Sequence, residues 1–566
     1  MGNLENVEVC VVGSGAGGSV VAHELVKAGI QVVLLERGRQ FEVTRDYLAT
    51  HDDFELRRSR IWSSTAGYPI TSGPPQPLDA RYLHLRPEHG STVLPGRRFR
   101  ERTSSYRGSQ QLQAVFGVGG TTVAAAGQAT RYGDETFKAA GADGLGTDWP
   151  IVYEELEDDY SAIERVLGVA GDPALPGPRR KSAYPHPAHR LCAASRLVAR
   201  GCSKLGLKMF PQAVAAPTRP HLGRPACQAC CSACLLGCPS GAKGSADVCF
   251  IKPALATGKL DLRTTARVLR IEPAKCGAAA RVIYSDGSGG QHGLSARVVV
   301  MAAGAIETPR ILLSSACGPW PHGAGNGSGQ VGRNYQETLV AASWGVVDEP
   351  VRSFEGLAVD NVVLDYSRTP SHGRWARGFS ISSSAASMSL LGPVAYALKI
   401  APGWGQEHEA FMREFFGKAI VVQAAGEQLP SESNKVDLDP EAKDCAGEPK
   451  TRVVNKLGDN DLAMLDGMVA SIREVLVASG AGNIHNDNSS YFSRVGAEPR
   501  GTCRMGQDPE RSVVDKYGRS HEVKNLFVAD GSVLVGGMHG NISLTIQALA
   551  RRTARAIVKA MGSREI

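Results

Sequence analysis

Short runs of unbroken apolar residues mark the two ends of this chain. Val9-Cys-Val-Val12 and Val32-Val-Leu-Leu35 are hydrophobic at every position, the pattern of parallel strands covered on both faces. The stretch between them favours helix, so residues 7–38 predict a strand, a tight turn, a helix and a second strand. Ala296-Arg-Val-Val-Val-Met-Ala-Ala-Gly304 repeats the pattern and runs into a helix at Ala305-Ile-Glu-Thr-Pro309. Asn525-Leu-Phe-Val-Ala-Asp-Gly531 does so again, ahead of a final helix from about Ser543 to Met561. Between these ends, Leu260 to Ile271 and Ala280 to Tyr284 predict two strands, and a helix is predicted from Asp148 as cap and Pro150 as first residue to about Leu167. Residues 337–455 change character: alternating segments such as Ala419-Ile-Val-Val-Gln-Ala-Ala425 and Asn434-Lys-Val-Asp-Leu-Asp439 predict a separate antiparallel sheet, followed by an amphipathic helix from Asp459 to Ala478. Residues 39–105 are irregular, as suits a connection wrapping over a ligand, and 171–190 read as a Pro- and Arg-rich linker.

The first turn carries chemistry. Gly13 permits a tight exit from the strand, Gly15 lets backbone approach a pyrophosphate, and Gly18 lets the helix pack on the strand. The anion then sits on the helix N-terminus, where unpaired N–H groups and the dipole favour negative charge. Glu36 ends the second strand, placed to accept hydrogen bonds from a ribose diol. A second glycine-rich loop, Phe116 to Arg131, contains Gly119-Gly120-Thr121-Thr122. The expected class is therefore α/β, with a Rossmann-type dinucleotide-binding domain assembled from several segments and an α+β domain built on the antiparallel sheet.

Composition narrows the function. The 566 residues allow two to four domains, and 42% hydrophobic with 21% charged residues describe a globular chain. A net charge of +7 spread along the chain leaves no footprint for nucleic acid. No apolar stretch approaches the roughly 18 residues a membrane helix needs, and the chain enters its first strand without a basic and apolar leader, so the expected compartment is the cytoplasm. Of 13 cysteines, five (Cys227, Cys230, Cys231, Cys234 and Cys238) fall in one short segment.

Several motifs in order resemble the glucose–methanol–choline (GMC) oxidoreductases, which use FAD. They are Gly13 to Gly18 with Glu36, Gly119 to Thr122, Gly304 to Pro309, Val331-Gly-Arg-Asn334, Gly501-Thr-Cys-Arg-Met-Gly506 with Ser512-Val-Val-Asp515, Asn525 to Ser532, and Asn541 to Ala550. The resemblance implies that Gly13, Gly15, Gly18 and Glu36 hold the ADP part of FAD, with Gly119, Gly120, Thr121 and Thr122 beside the flavin. Val268 would lie near the adenine, and Asp530 and Gly531 at the pyrophosphate and ribityl chain. It divides the chain into FAD-binding parts at 1–170 and 251–336, a linker and cysteine-rich insertion at 171–250, a substrate-binding sheet domain at 337–495, and a C-terminal FAD-binding and catalytic part at 496–566. The implied reaction is oxidation of an alcohol or sugar, its hydride passing to flavin N5 while a His–Asn or His–His pair handles the hydroxyl. Asn541 matches the second member of the pair. Glu498 stands where the first, a histidine, is expected, and His539 is the other candidate base.

The cysteine segment ends as Cys231-x2-Cys234-x3-Cys238-Pro239, close to a ferredoxin-type run, with Cys227 one residue too far upstream. It resembles the segment in FAD glucose and gluconate dehydrogenase large subunits and in long-chain alcohol oxidases. That implies a three-iron or four-iron iron–sulfur cluster on Cys227, Cys231, Cys234 and Cys238, with Cys230 as substitute, and an electron-acceptor protein or quinone as partner. A zinc site or a metal-free structural loop are the other readings. For the activity, the alternatives are an alcohol oxidase producing hydrogen peroxide, and a lyase or photodecarboxylase on the same scaffold.

Overall fold

Hydrophobic residues on every position oblige a strand to be covered on both sides, and the two central strands of this fold are. The computed structural model describes residues 5–46, 115–229, 234–274, 278–368, 373–383, 403–443, 447–487, 498–537 and 541–566, with isolated positions between 393 and 401. Most of the connection at 39–105, together with Cys230, Cys231 and His539, lies outside the described residues. In chain order the elements that position the site are β1 (Glu5–Val12), α1 (Ala16–Lys27), β2 (Val32–Leu35), α2 (Tyr153–Leu167), α3 (Ala193–Lys204) and β3 (Met209–Pro211). There follow β4 (Leu260–Arg263), β5 (Arg267–Pro273), β6 (Ala279–Ser285), β7 (Gln291–Met301) and α4 (Gly304–Ser314). The sheet domain adds β8 (Thr338–Val346), β9 (Asn361–Val363), β10 (Phe379–Ser383), β11 (Ala419–Glu427), α5 (Asp459–Ala478) and β12 (Gly482–Asp487), and the chain closes with β13 (Leu526–Val528) and α6 (Ser543–Gly562).

The first sheet has the order β4-β2-β1-β7-β6-β5, with β13 also paired to β7. Its nucleotide-binding half is parallel: Cys10 pairs with Val33 and Val299, and Phe527 with Val300. Val9, Val11, Val298, Val299 and Val300 are wholly buried, and each such side chain contributes about 1.5–3 kcal/mol of hydrophobic stabilisation. β5 and β6 return antiparallel along the N-terminal half of β7. Helix α6 is pinned to the helices beside it by Tyr160 and Thr545, whose hydroxyls lie 2.8 Å apart, and by Arg551, which pairs with Asp159 and Glu24.

The second sheet is antiparallel throughout, in the order β12-β8-β11-β10-β9-β3. One face is covered by α5 and α3, where Met464, Leu465, Met468, Ile472 and Val475 pack on Leu339, Ala341, Ile420, Val422 and Ala424. Helices on one side of an antiparallel sheet make this the α+β domain.

Local details depart from the sequence reading in three places. The helix expected from Asp148 begins at Tyr153, because Asp148 accepts from Gly141 N at 2.9 Å while Asp134, from the preceding turn, accepts from Tyr153 N at 3.2 Å. The strand expected over Leu260 to Ile271 is two strands, broken where Thr265 adopts φ +53° and its amide donates to Gly38 O. The stretch 171–250, read as linker and insertion, supplies α3 and β3 to the second domain, β3 pairing with β9 through Phe210 and Val362. Amphipathic periodicity in α3 is legible; its partner sheet, about 150 residues downstream, is not.

Candidate functional site

The turn from β1 into α1 is shaped by what cannot fit there. Gly13 has φ +100°, and a β-carbon on it would lie 2.5 Å from Ala302 O; one on Gly18 would lie 1.9 Å from Gly13 O. Gly15 differs: its φ of −70° suits any residue, and nothing lies within 4 Å of its β-carbon position. Helix α1 starts at this open space with no side-chain cap and no acid in its first turn, so the N–H groups of its first turn and its positive dipole end face that space. Gly119 (φ +96°) and Gly120 (φ +54°) bring the second glycine loop over it, with a β-carbon on Gly120 only 2.8 Å from Gly15 Cα.

Hydrogen bonds join the pieces. Ser14 donates to Glu36 Oε2 from N (3.0 Å) and Oγ (2.6 Å), Gly38 N donates to Oε1 (2.8 Å), and Gly119 N donates to Ser14 Oγ (3.2 Å). Burial pushes the Glu36 carboxyl up despite these donors. In the loop, Thr122 Oγ1 donates to Gly119 O at 2.6 Å and accepts from Ala246 N at 2.9 Å, while Thr121 Oγ1 accepts from Val115 N at 3.4 Å. Val268 lies two residues beyond Ala266, whose N–H donates to Glu36 O, and its own carbonyl accepts from Arg310 at 2.8 Å.

A second turn, from β7 into α4, faces the first. Gly304 has φ +90° with nothing within 4 Å of its β-carbon position. The buried Asp530 carboxylate holds it, accepting from Gly304 N (2.9 Å), Thr308 Oγ1 (2.6 Å), Ser532 N (2.8 Å) and Ser532 Oγ (2.5 Å). Burial raises the Asp530 pKa against those four bonds. A β-carbon on Gly17 would sit 1.6 Å from Ala529 O, and one on Gly531 would sit 2.9 Å from Pro499 O. The segments around 13–18, 302–308, 498–502 and 529–532 therefore converge on one place.

The catalytic candidates lie at that convergence. Glu498 and Asn541 are both left-handed, with φ +54° and +63°, a strained conformation for residues with side chains. Asn541 N donates to both Glu498 carboxylate oxygens at 2.9 Å, and Thr338 Oγ1 donates to Oε2 at 2.7 Å. The Asn541 side-chain nitrogen is buried with no partner among the described residues. His539 falls outside the described residues.

Sequence reasoning missed the groups behind this pair. Arg500 is wholly buried and donates from Nη1 to Thr338 Oγ1 (3.0 Å) and Glu498 O (3.2 Å), and from Nη2 to Glu337 O (3.2 Å). Glu427, raised by burial, pairs with Arg377 (3.1 Å) and accepts from Gly537 N (3.2 Å). Tyr132 Oη and Arg500 Nε are buried without partners among the described residues. A charged residue between Pro499 and Gly501 is the only trace of this in the sequence, and position alone cannot show that it is buried.

The cysteine segment docks on the same loop. Lys243, nearly inaccessible, donates from Nζ to Val123 O (2.7 Å), Ala125 O (2.9 Å) and Cys234 O (2.6 Å), so the backbone at Cys234 is tied to the residues just after Thr122. Cys227 and Cys234 pack against Val214, Ala216 and Leu357. Burial acts to raise the Cys238 pKa, but Ser240 and Lys243 outweigh it and leave the thiol below its ordinary value. Among the described residues no three His, Cys, Asp or Glu side chains are grouped to hold a metal, and Cys230 and Cys231 lie outside them.

Residues 183–340 and 430–550 match the N- and C-terminal family patterns of GMC oxidoreductases, and residues 6–48 match an FAD binding domain. The chain is 33% identical to the 2-methyl-1,2-propanediol dehydrogenase of Mycolicibacterium austroafricanum over 561 residues, covering 97% of this chain and 95% of the relative. It belongs to the GMC oxidoreductase family. This GMC oxidoreductase is also similar to the fructose dehydrogenase large subunit of Gluconobacter japonicus, at 27% identity over 98% of both chains. Its fold is similar to that of pyridoxine 4-oxidase from Mesorbium loti, with a TM-score of 0.59 at 17% identity over 97% of this chain and 99% of that one. It is an FAD-dependent enzyme of the class acting on CH–OH donors. The residues present fit that cofactor: the open space at Gly15, the uncapped helix N-terminus and the second open turn at Gly304 form a cradle a side chain would fill. Among the described residues no helix is long and apolar enough to cross a membrane.

Proposed function

We propose that this GMC oxidoreductase is an alcohol dehydrogenase that oxidises the carbinol carbon of a small alcohol or sugar and passes the electrons to a carrier. The observation carrying this is the buried side-chain nitrogen of Asn541, unpartnered among the described residues, on a strained residue held where both nucleotide turns meet. Bound FAD supplies the two-electron acceptor, at N5, for the hydride that leaves the carbinol carbon. Gly13, Gly15, Gly18 and the α1 N-terminus hold its pyrophosphate, with Glu36 toward the ribose and Val268 toward the adenine. Gly119 to Thr122 cover the flavin, and Asp530 and Gly531 position the ribityl side. Asn541 Nδ2 donates to the substrate oxygen and aims the carbinol C–H bond. His539 accepts the hydroxyl proton. Engagement of both Glu498 oxygens by Asn541 N and Thr338 supports a holding role for this carboxylate, with His539 as base. The test is anaerobic flavin reduction with a panel of alcohols and sugars. Bleaching of the flavin band with formation of the carbonyl product is expected; product without flavin reduction would establish the lyase reading and overturn this one.

For the electron exit, the cysteine segment is read as an iron–sulfur ligand set, Cys227, Cys231, Cys234 and Cys238 with Cys230 as substitute. Its support is the Lys243 link between Cys234 and the loop assigned to the flavin. Electrons then leave to an acceptor protein or quinone, a role in keeping with a relative named as the large subunit of a dehydrogenase. Protein purified anaerobically should contain iron and acid-labile sulfide, both lost in Cys234→Ser or Cys238→Ser. Metal-free protein with rapid substrate-dependent oxygen uptake would make it a peroxide-forming oxidase instead. The buried thiols Cys10, Cys202, Cys249 and Cys503, none in a disulfide, support work in the reducing cytoplasm.

A further inference from the structure

The turn just ahead of the cysteine segment breaks two local rules at one residue. Leu222 sits at the tip of a tight hairpin in which His221 N donates to Arg224 O and Arg224 N to His221 O, both at 2.9 Å. Its φ is +47° and that of Gly223 is +76°, a turn that suits Asn-Gly and strains a bulky side chain. The leucine is also 72% exposed, so burial does not offset the strain. Natural chains break such rules chiefly at functional sites.

The tip is nonetheless held rigidly. Arg224 is buried and donates to Ala242 O (3.0 Å), Val166 O (3.0 Å) and Leu167 O (2.8 Å), and His221 Nε2 lies 2.6 Å from Arg165 O. The His186 ring meets the His221 ring edge-on at 4.8 Å, and a β-carbon on Gly168 would lie 2.6 Å from His221. The end of helix α2 therefore fixes the turn from below. The same hairpin leads into Cys227, whose N–H donates to Pro217 O at 2.7 Å.

Charge around the tip has one sign. Arg165 and Arg219 are exposed, as are Pro187, Pro220 and Pro225. Glu164, the acid next to Arg165, is committed to Arg131 and Arg180, and among the described residues neither Arg165 nor Arg219 forms an ion pair. Burial, and then the bases His221, Arg219, Arg224 and His189, hold His186 below its ordinary pKa. An exposed apolar tip inside a cationic rim matches the anatomy of a protein interface. A surface this small suits a brief electron-transfer encounter rather than a permanent complex.

We infer that the Leu222 turn is the docking point for an acidic, one-electron carrier protein, whose carboxylates meet Arg165 and Arg219 while an apolar patch covers Leu222 and the prolines beside it. This rests on the reading of the cysteine segment as the electron exit, to which the turn is joined at Cys227. Each alcohol oxidised yields a carbonyl, two electrons and two protons. Two carrier molecules are then reduced by one electron each, and the protons pass to solvent.

The probe is cytochrome c, compared in its native basic form and after succinylation of its lysines, which makes it acidic. The holoenzyme is turned over anaerobically with an alcohol that reduces its flavin, at about 20 mM and about 0.5 M salt, where Debye lengths are about 20 and 4 Å. Binding of the oxidised carrier to the resting enzyme is measured alongside by calorimetry. At low salt the succinylated form should be reduced with a kcat/KM at least about 10-fold above the native form, a difference that falls below about 2-fold at high salt. Arg165→Glu and Arg219→Glu should each lower kcat/KM and affinity for the acidic carrier about 5- to 10-fold at low salt, whereas Arg413→Glu, at an arginine 80% exposed on the second domain's helix Gly405–Phe415, should change them less than about 2-fold. Leu222→Ser should weaken binding about 5- to 15-fold at both salt concentrations. All four variants should reduce phenazine methosulfate at the parental rate, because a small dye needs no docking face, and this also shows that they are folded. Equal effects of Arg219→Glu and Arg413→Glu, or unchanged carrier binding in Leu222→Ser, would overturn the inference. So would Leu222-dependent binding to phosphatidylserine vesicles without preference for the acidic carrier, which would make the turn a membrane contact. Iron-free enzyme that still reduces the acidic carrier in an Arg219-dependent way would remove the cluster reading and leave the docking face in place. Failure of every alcohol to reduce the flavin would sink the alcohol reading itself, and this inference with it.

Discussion

Gly15 and Gly18 stand three residues apart in the same turn, yet substitution should break different things. A valine at Gly15 meets nothing within 4 Å, and φ −70° costs it no strain. At this N-cap position a branched side chain costs about 0.5–1 kcal/mol relative to glycine, roughly offset by about 0.4–1 kcal/mol from a less flexible unfolded chain. The apoprotein of Gly15→Val should therefore match the parent apoprotein within about 1 kcal/mol. Its side chain, however, occupies the space assigned to the pyrophosphate. Saturating FAD at 100 times its Kd stabilises a binding-competent protein by about 2.7 kcal/mol, and Gly15→Val should gain none of it. In Gly18→Ala the new methyl lies 1.9 Å from Gly13 O and 3.0 Å from the Ala302 β-carbon, so α1 must lift off the sheet. Overpacking of this kind costs about 1–3 kcal/mol and should lower the Tm of the apoprotein by about 1–3 °C. The assay is thermal unfolding of flavin-stripped protein with and without added FAD, alongside the flavin-to-protein ratio as purified. Yellow Gly15→Val with a parental FAD-induced Tm rise, or an unfolded Gly15→Val apoprotein, would refute the argument that this open space is the cofactor cradle.

Three further outcomes follow from the site and the sheet domain. Asn541→Ala should retain FAD and slow flavin reduction by about 10- to 100-fold, as expected for loss of a hydrogen bond to the reacting oxygen; stopped-flow at parental rate would remove Asn541 from the site. His539→Ala should cost a factor of about 10² to 10⁴ in reduction rate while Glu498→Gln, which keeps an oxygen toward Asn541 N, costs less than about 10-fold; the reverse order would make the carboxylate the base. Asp461, which accepts from Gly458 N and Leu429 N in a buried site, is pushed up by burial to about 6 from 3.8. Its protonated form is thus favoured in the fold, giving a contribution that is present below about pH 4 and lost as pH rises through about 6. Relative to Asp461→Asn, the parent should lose about 3 kcal/mol between pH 4 and pH 7, measured by denaturant unfolding; parallel pH profiles would contradict the raised carboxyl.

The sequence by itself determined those parts of the molecule whose physics is local. Unbroken Val and Leu runs at 9–12, 32–35 and 298–301 require cover on both faces, and glycine at 13 and 304 marks turns that need positive φ. From these the parallel sheet and a dinucleotide-binding class were legible, while FAD itself was implied only by the motifs' resemblance to a known family; the helix Asp459–Ala478 was legible to the residue. Asn541 and Glu498 could be picked out as positions in a motif. What only tertiary structure decided were relations between residues far apart in the chain: that Glu498 grips the backbone of Asn541 across 43 positions, and that Asp530 caps the turn at Gly304 across 226. Burial of Arg500 and Tyr132 is of the same kind, because an arginine or tyrosine reads alike in a sequence whether solvated or desolvated. The environment that buries Arg500 and Tyr132 is assembled from strands β8 and β11 and the loops at 132, 498 and 537, and no local pattern encodes a surface built by five distant segments folding against one another.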